Sequence, residues 1–127
     1  MSEAQFITEI ANEADCNLLL DVNNLYVNSR NHVYDPYDFL NSVPLERITA
    51  IHVAGHEQRY PDLIIDTHGS AIVDPVYDLL GWVMARVGNI PVLLERDFNF
   101  PKDHELVAEL ARVREVVRVS KLIREVA

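Results

Sequence analysis

Leu18-Leu19-Leu20-Asp21-Val22-Asn23-Asn24 is an apolar run that ends abruptly in side chains able to bind a metal or move a proton. The same design recurs three times. Ile48-Thr49-Ala50-Ile51 runs into His52, Leu63-Ile64-Ile65 into Asp66-Thr67-His68, and Val92-Leu93-Leu94 into Glu95. Short continuous apolar runs describe strands buried on both faces, as in a parallel sheet covered by helices. In parallel α/β folds the chemistry sits at the carboxyl ends of the strands. Four polar endings of this kind point to an active site on one rim of such a sheet.

The segments between these runs read as helices. Ser2 with Gln5 forms a capping-box pattern, and Phe6, Ile7, Ile10, Ala11 and Ala14 then fall on one face. Strands are expected at residues 17–22, 47–54, 63–66 and 91–95. Residues 23–34 read as a long polar loop, and the stretch from Glu57 to Pro61 as another. Asp35-Pro36 and Asp74-Pro75 start helices, with proline where no amide donor is needed. Val76, Leu79, Leu80, Val83, Met84 and Val87 make a wide apolar stripe that Gly88 closes. A last helix runs from near Asp103, with Leu106, Val107, Leu110, Val113, Val117 and Leu122 expected inward. The expected fold is α/β: one domain over residues 1–127, a partial TIM-type (β/α) barrel of about four parallel strands with covering helices. A whole barrel takes roughly 250 residues; this chain has 127.

Composition narrows the function. Twenty acidic residues against eleven basic ones give a formal charge of −9, which disfavours a nucleic-acid binder. Arg112, Arg114, Arg118, Lys121 and Arg124 gather at the end of the last helix, where the helix dipole favours cations. Cys16 is the only cysteine, so no internal disulfide forms. That fits a reducing compartment, and a cytoplasmic location is expected. Cys16 itself reads as a small buried hydrophobe. No signal-peptide pattern or membrane-length apolar run is present.

Asp21, Asn23, His52, Asp66, His68 and Glu95 are the candidate metal ligands. Asp21, His52 and Glu95 are also the candidate catalytic groups. Imidazole and carboxylate ligation without a cysteine cluster suits iron, manganese or catalytic zinc, not a structural zinc ribbon. Three carboxylates and two histidines exceed what one ion commonly takes, so more than one metal is expected. Each residue alone has a structural alternative. Asp21 and Asn23 suit a turn, His52 a hydrogen-bonded core position, Glu95 a pair with Arg96, and Asp66-Thr67-His68-Gly69 a turn. His56 continues the parity of His52, while His32 and His104 read as surface residues.

Taken in order, LLLDVNNLYVNSRNH, IHVAGH, IDTHG and LLERD resemble the multinuclear non-haem iron-dependent oxidative enzymes, a family that includes the oxidase of methanobactin biosynthesis. The resemblance runs from about Phe6 to Leu110. It implies a TIM-type barrel related to xylose isomerase, two or three irons, and the use of dioxygen. The implied substrates are ribosomally made precursor peptides, modified at cysteine, with a small partner protein that helps recognise the peptide. It implies that Asp21 and Asn23, His52, Asp66 and His68, and Glu95 are ligands. It also implies a further half-barrel carrying two histidines and a glutamate that this sequence lacks. The expected partner is therefore a complementary N-terminal half-barrel or a second copy of the chain. Two other functions remain open. One is a different metal-dependent enzyme of the xylose-isomerase-like group, an isomerase or endonuclease. The other is a non-catalytic half-barrel that associates with a partner.

Overall fold

The computed structural model describes all 127 residues. Helix α1 (Glu3–Glu13) starts on the Ser2 cap: its side chain accepts from the Gln5 amide, and the Gln5 side chain answers at the Ser2 amide. Its buried positions are Ala4 and Ala11, with Ile7 and Thr8 half-buried between them. Phe6 and Ile10, expected inward, are about half exposed at 56% and 48%. Small residues win that face because α1 packs closely on α3 (Pro36–Ser42), where Thr8 reaches the Ser42 carbonyl.

Strands β1 (Leu18–Asp21), β2 (Ile48–Val53) and β5 (Val92–Leu94) form a parallel three-stranded sheet in the order β1-β2-β5. Asp21 stands opposite His52, and His52 opposite Leu93. One face of this sheet is covered. Ile51 and Val53 pack with Val22, Leu25, Val76, Leu79, Leu80 and Val83 in a single core, and Leu18, Leu20, Val92 and Leu94 close around it. Much of that core comes from α4 (Asp74–Val87), whose stripe is buried from Val76 to Met84 as its 3–4 spacing predicts, with Val87 half-buried at its end. Gly88 ends the helix at φ +94°, a conformation that glycine adopts without strain. The other face is bare: Leu19 and Leu93 are 55% and 52% exposed.

Two expectations about the sheet are corrected. The parallel strands number three, not four. The run Leu63–Ile65 is β4, which pairs antiparallel with β3 (Glu57–Tyr60) in a separate two-stranded hairpin. Tyr60 faces Leu63 across a tight link through Pro61 and Asp62, so the nearest partner wins over the distant sheet. Residues 23–34 are not a loop either. Most of them form helix α2 (Val22–Asn31), capped by Asp21, whose Oδ1 accepts from the Asn24 amide at 2.8 Å. Val22, Leu25 and Ser29 are buried at helical spacing, a stripe that the four asparagines mask.

Helix α5 (Asp103–Val126) packs along α4 and closes the outer layer. Val113 and Ser120 are its buried residues, with Leu106, Leu110, Val116 and Val117 half-buried. Val107 and Leu122 face solvent at 65% and 49% exposure, because the inward stripe runs through positions 106, 110, 113, 117 and 120. Cys16 is exposed, not buried, since it precedes the first strand instead of opening it. No helix is long and apolar enough to cross a membrane.

Candidate metal centre

Three routes through the chain deliver side chains to the carboxyl rim of the sheet. Asp21 and His52 stand side by side at the ends of β1 and β2. Glu95 follows β5, placed by its amide, which donates to the Val53 carbonyl at 2.9 Å. Asp66 and His68 follow the hairpin strand β4 and reach the same rim from the side. His68 sits at φ +55°, uncommon for a residue with a Cβ. Its amide donates to the Gly55 carbonyl at 3.1 Å, and its carbonyl accepts from the Asp97 amide at 2.9 Å. Those two bonds hold a conformation the residue does not favour, and such outliers cluster at functional sites.

His68 is the hub. Its Nε2 lies 3.0 Å from Asp66 Oδ1 and 3.4 Å from Asp21 Oδ2. Its Nδ1 lies 3.0 Å from Glu95 Oε2 and 3.7 Å from Asp97 Oδ2. The second Glu95 oxygen lies 3.2 Å from His52 Nδ1. An imidazole offers at most two N–H donors, so His68 cannot satisfy four carboxylates. Excess anionic oxygen around histidine nitrogens is the donor chemistry that divalent cations meet. Asp21, His68 and Glu95 each offer a ligand atom, all within 4.8 Å of one another. The set fits a metal ion.

Electrostatics point the same way. Burial raises the Asp21 carboxyl above its ordinary value of 3.8; the Asn24 amide bond pulls it down, Asp66 pushes it up, and His68 and His52 lower it. A desolvated carboxylate beside a second carboxylate is stabilised by an added cation.

Asn23 is completely buried at the start of α2. Its Nδ2 donates to Asp66 Oδ1 and to the Gly55 carbonyl, the latter at 3.1 Å. Its Oδ1 faces His56 Nδ1 at 2.9 Å. Asn24 Nδ2 donates to the other Asp66 oxygen at 3.0 Å, and Asn28 donates to Asn24 at 3.1 Å. His56 packs on the Tyr26 ring, with centroids 5.3 Å apart, and burial lowers its pKa below the usual imidazole value.

All six sequence-predicted residues are thus gathered at one rim, with Asn23 touching Asp66 and not the His68 hub. Glu95 does not pair with Arg96, which turns away to Glu109 at 3.3 Å and to the Asn99 carbonyl at 3.0 Å. His32 and His104 are exposed. Sequence reasoning does not single out Gly55 or Asp97, and takes Asn24 only as the tail of the first run. The signal for Gly55 was there, as a glycine one residue before His56 in a segment that carries His52.

The chain is an α/β protein with a histidine–carboxylate cluster on the carboxyl rim of its parallel sheet, a donor set that suits a divalent cation. Within that class the chain belongs to the family described as RiPP precursor modification enzyme MbnB/TglH/ChrH, whose model matches residues 1–118. It is similar to a UPF0276 protein of Shewanella amazonensis, 55% identical over 115 residues that make 91% of this chain and 41% of that protein. A UPF0276 protein of Alcanivorax borkumensis is 51% identical over 113 residues, 89% of this chain and 38% of its own. One from Neisseria meningitidis is 48% identical over 130 residues, all of this chain and 46% of its own. The chain therefore spans less than half the length of these curated relatives.

Proposed function

We propose that this chain supplies one wall of a multinuclear iron enzyme that oxidises cysteine-containing ribosomal precursor peptides. The observation that carries this reading is the convergence of Asp21, His68 and Glu95 within 4.8 Å, on a chain of a family described as RiPP precursor modification enzymes. Asp21, His52, Asp66, His68 and Glu95 are the residues that would hold iron, with the Asn23 amide orienting Asp66. Glu95 directs one oxygen to each histidine, an arrangement suited to a carboxylate shared between two ions. Bound iron with dioxygen would supply the oxidising power. The chain's own residues fix the donor atoms and keep the covered side of the rim dry.

The remaining ligands come, in this reading, from polypeptide that the longer relatives carry outside the matched segment. The bare sheet face with Leu19 and Leu93 supports that view: parallel sheets are stable when both faces are covered. The partners are accordingly a complementary half-barrel, a precursor peptide and a small peptide-recognition protein.

The test is anaerobic iron loading of the chain together with the missing portion of a relative, followed by metal analysis and peptide turnover. Two or three irons per assembly and oxygen-dependent modification of a cysteine peptide are expected. His52→Ala or Glu95→Ala should abolish turnover, and retained turnover overturns the assignment. An assembly that holds only zinc or manganese and consumes no oxygen also overturns it.

A further inference from the structure

His56 lies outside the histidine–carboxylate cluster, yet it is joined to it by a single buried amide. The Asn23 side chain has two N–H donors and one oxygen. Both donors are committed, one to the Gly55 carbonyl and one to Asp66 Oδ1, and neither partner can donate in return while Asp66 is ionised. Turning the amide over would set its oxygen against a carbonyl and a carboxylate. In a fully buried side chain that leaves several polar groups unpaired and out of reach of water. The orientation of the amide is therefore decided by its partners, and its oxygen must face His56 Nδ1, 2.9 Å away. Two acceptors cannot share that gap, so Nδ1 carries a proton, and in the neutral imidazole Nε2 is then the bare nitrogen.

We infer that His56 is a positioning residue: as the Nδ1–H tautomer it locks the Asn23 amide, which in turn fixes the Asp66 carboxylate for cation binding. The role of Asp66 toward a cation rests on the proposed function; the tautomer does not. The Tyr26 ring against His56 restricts the imidazole plane, so the lock is held by packing as well as by the hydrogen bond. Asp66 is then fixed at both oxygens, by Asn23 at one and Asn24 at the other. Partners that orient a metal ligand typically change metal affinity 10–100-fold when removed.

The experiment has two arms on the chain as it stands. Long-range nitrogen–proton NMR of the metal-free protein reads the His56 tautomer directly. Nδ1–H is expected, and Nε2–H overturns the inference. The second arm titrates Co2+ and follows its visible spectrum. His56→Ala should weaken Co2+ binding about 10–100-fold and alter the ligand-field bands. His56→Asn, whose amide nitrogen overlays Nδ1, should restore both. Equal weakening by the two variants, or none by either, overturns the relay. A wild-type chain that shows the Nδ1–H tautomer but takes up no Co2+, alone or assembled with the missing portion of a relative, counts against the proposed function and leaves the amide lock standing.

Discussion

Asn31 pairs with Ile64 as if it were a neighbouring strand: its Nδ2 donates to the Ile64 carbonyl at 2.8 Å and its Oδ1 accepts from the Ile64 amide at 3.1 Å. The side chain of α2 thereby completes the hydrogen bonding of β4, two residues before Asp66. Asn31→Ala leaves both backbone groups of a buried residue without partners, at about 1–3 kcal/mol each. The urea midpoint should fall with an unchanged slope, and the Ile64 amide should exchange faster with solvent. Unchanged exchange at Ile64 would mean that the pairing does not hold the hairpin.

Gly55 has no room for a side chain. A Cβ there would lie 2.0 Å from the Ser70 carbonyl oxygen and 2.5 Å from that of Ala71, both backbone atoms that cannot rotate away. Its own carbonyl accepts from Asn23 and from the His68 amide, so a shift at Gly55 moves two site residues at once. Gly55→Ala is expected to lower stability by about 1–3 kcal/mol or more and to weaken cation binding. Thermal melting and Co2+ titration check the pair. A variant with wild-type melting would show that the segments do not approach this closely.

The sequence disclosed the site better than the scaffold. Asp21, His52 and Glu95 were legible because an apolar run stopping at a polar side chain marks a strand end. The α2 helix was not legible: Asn23, Asn24, Asn28 and Asn31 have turn propensity, and it takes the tertiary partners of Asn23, Asn24 and Asn31, with Asn28 bonded to Asn24, to make a helix their best use. Asp66 and His68 are expected at the end of the third of four parallel strands. Nothing in Leu63–Ile65 distinguishes parallel from antiparallel pairing, and the partner strand Glu57–Tyr60 is polar and exposed. That hydrogen-bonded hairpin still brings both residues to the expected rim, which is why the ligand set was readable through a wrong topology.

Asp21→Asn should separate stability from function. The folded chain raises the Asp21 pKa, chiefly by removing the carboxylate from water. Between the ordinary value of 3.8 and the raised folded value, the native state binds more protons than the unfolded state. The Asp21 contribution to stability therefore falls as pH rises through that window, and the charged form is a net cost at neutral pH. Asparagine removes the charge and still caps α2 through its oxygen. The metal-free variant should melt above the wild type at neutral pH, with the advantage disappearing in acid. It should also lose the stabilisation that an added cation gives the wild type. Melting curves across pH, with and without Co2+, decide this; a variant less stable than wild type throughout would refute the desolvation account.

Leu19 and Leu93 test what covers the bare face. Both are more than half exposed, on the same side of the sheet as Ala50 and below the rim that carries Asp21, His52 and Glu95. Substitutions at exposed positions away from packed features usually shift stability by no more than about 0.5 kcal/mol. Leu19→Glu and Leu93→Glu should therefore leave the melting of the isolated chain nearly unchanged. Burying either glutamate beneath a covering polypeptide would desolvate a charge without a partner, which costs several kcal/mol. The variants should fail to assemble with the missing portion of a relative, while the wild type pairs with it one to one by light scattering. A glutamate at either position that destabilises the chain alone would show the face to be packed within its own fold. Assembly that survives both substitutions would place the complementary wall elsewhere.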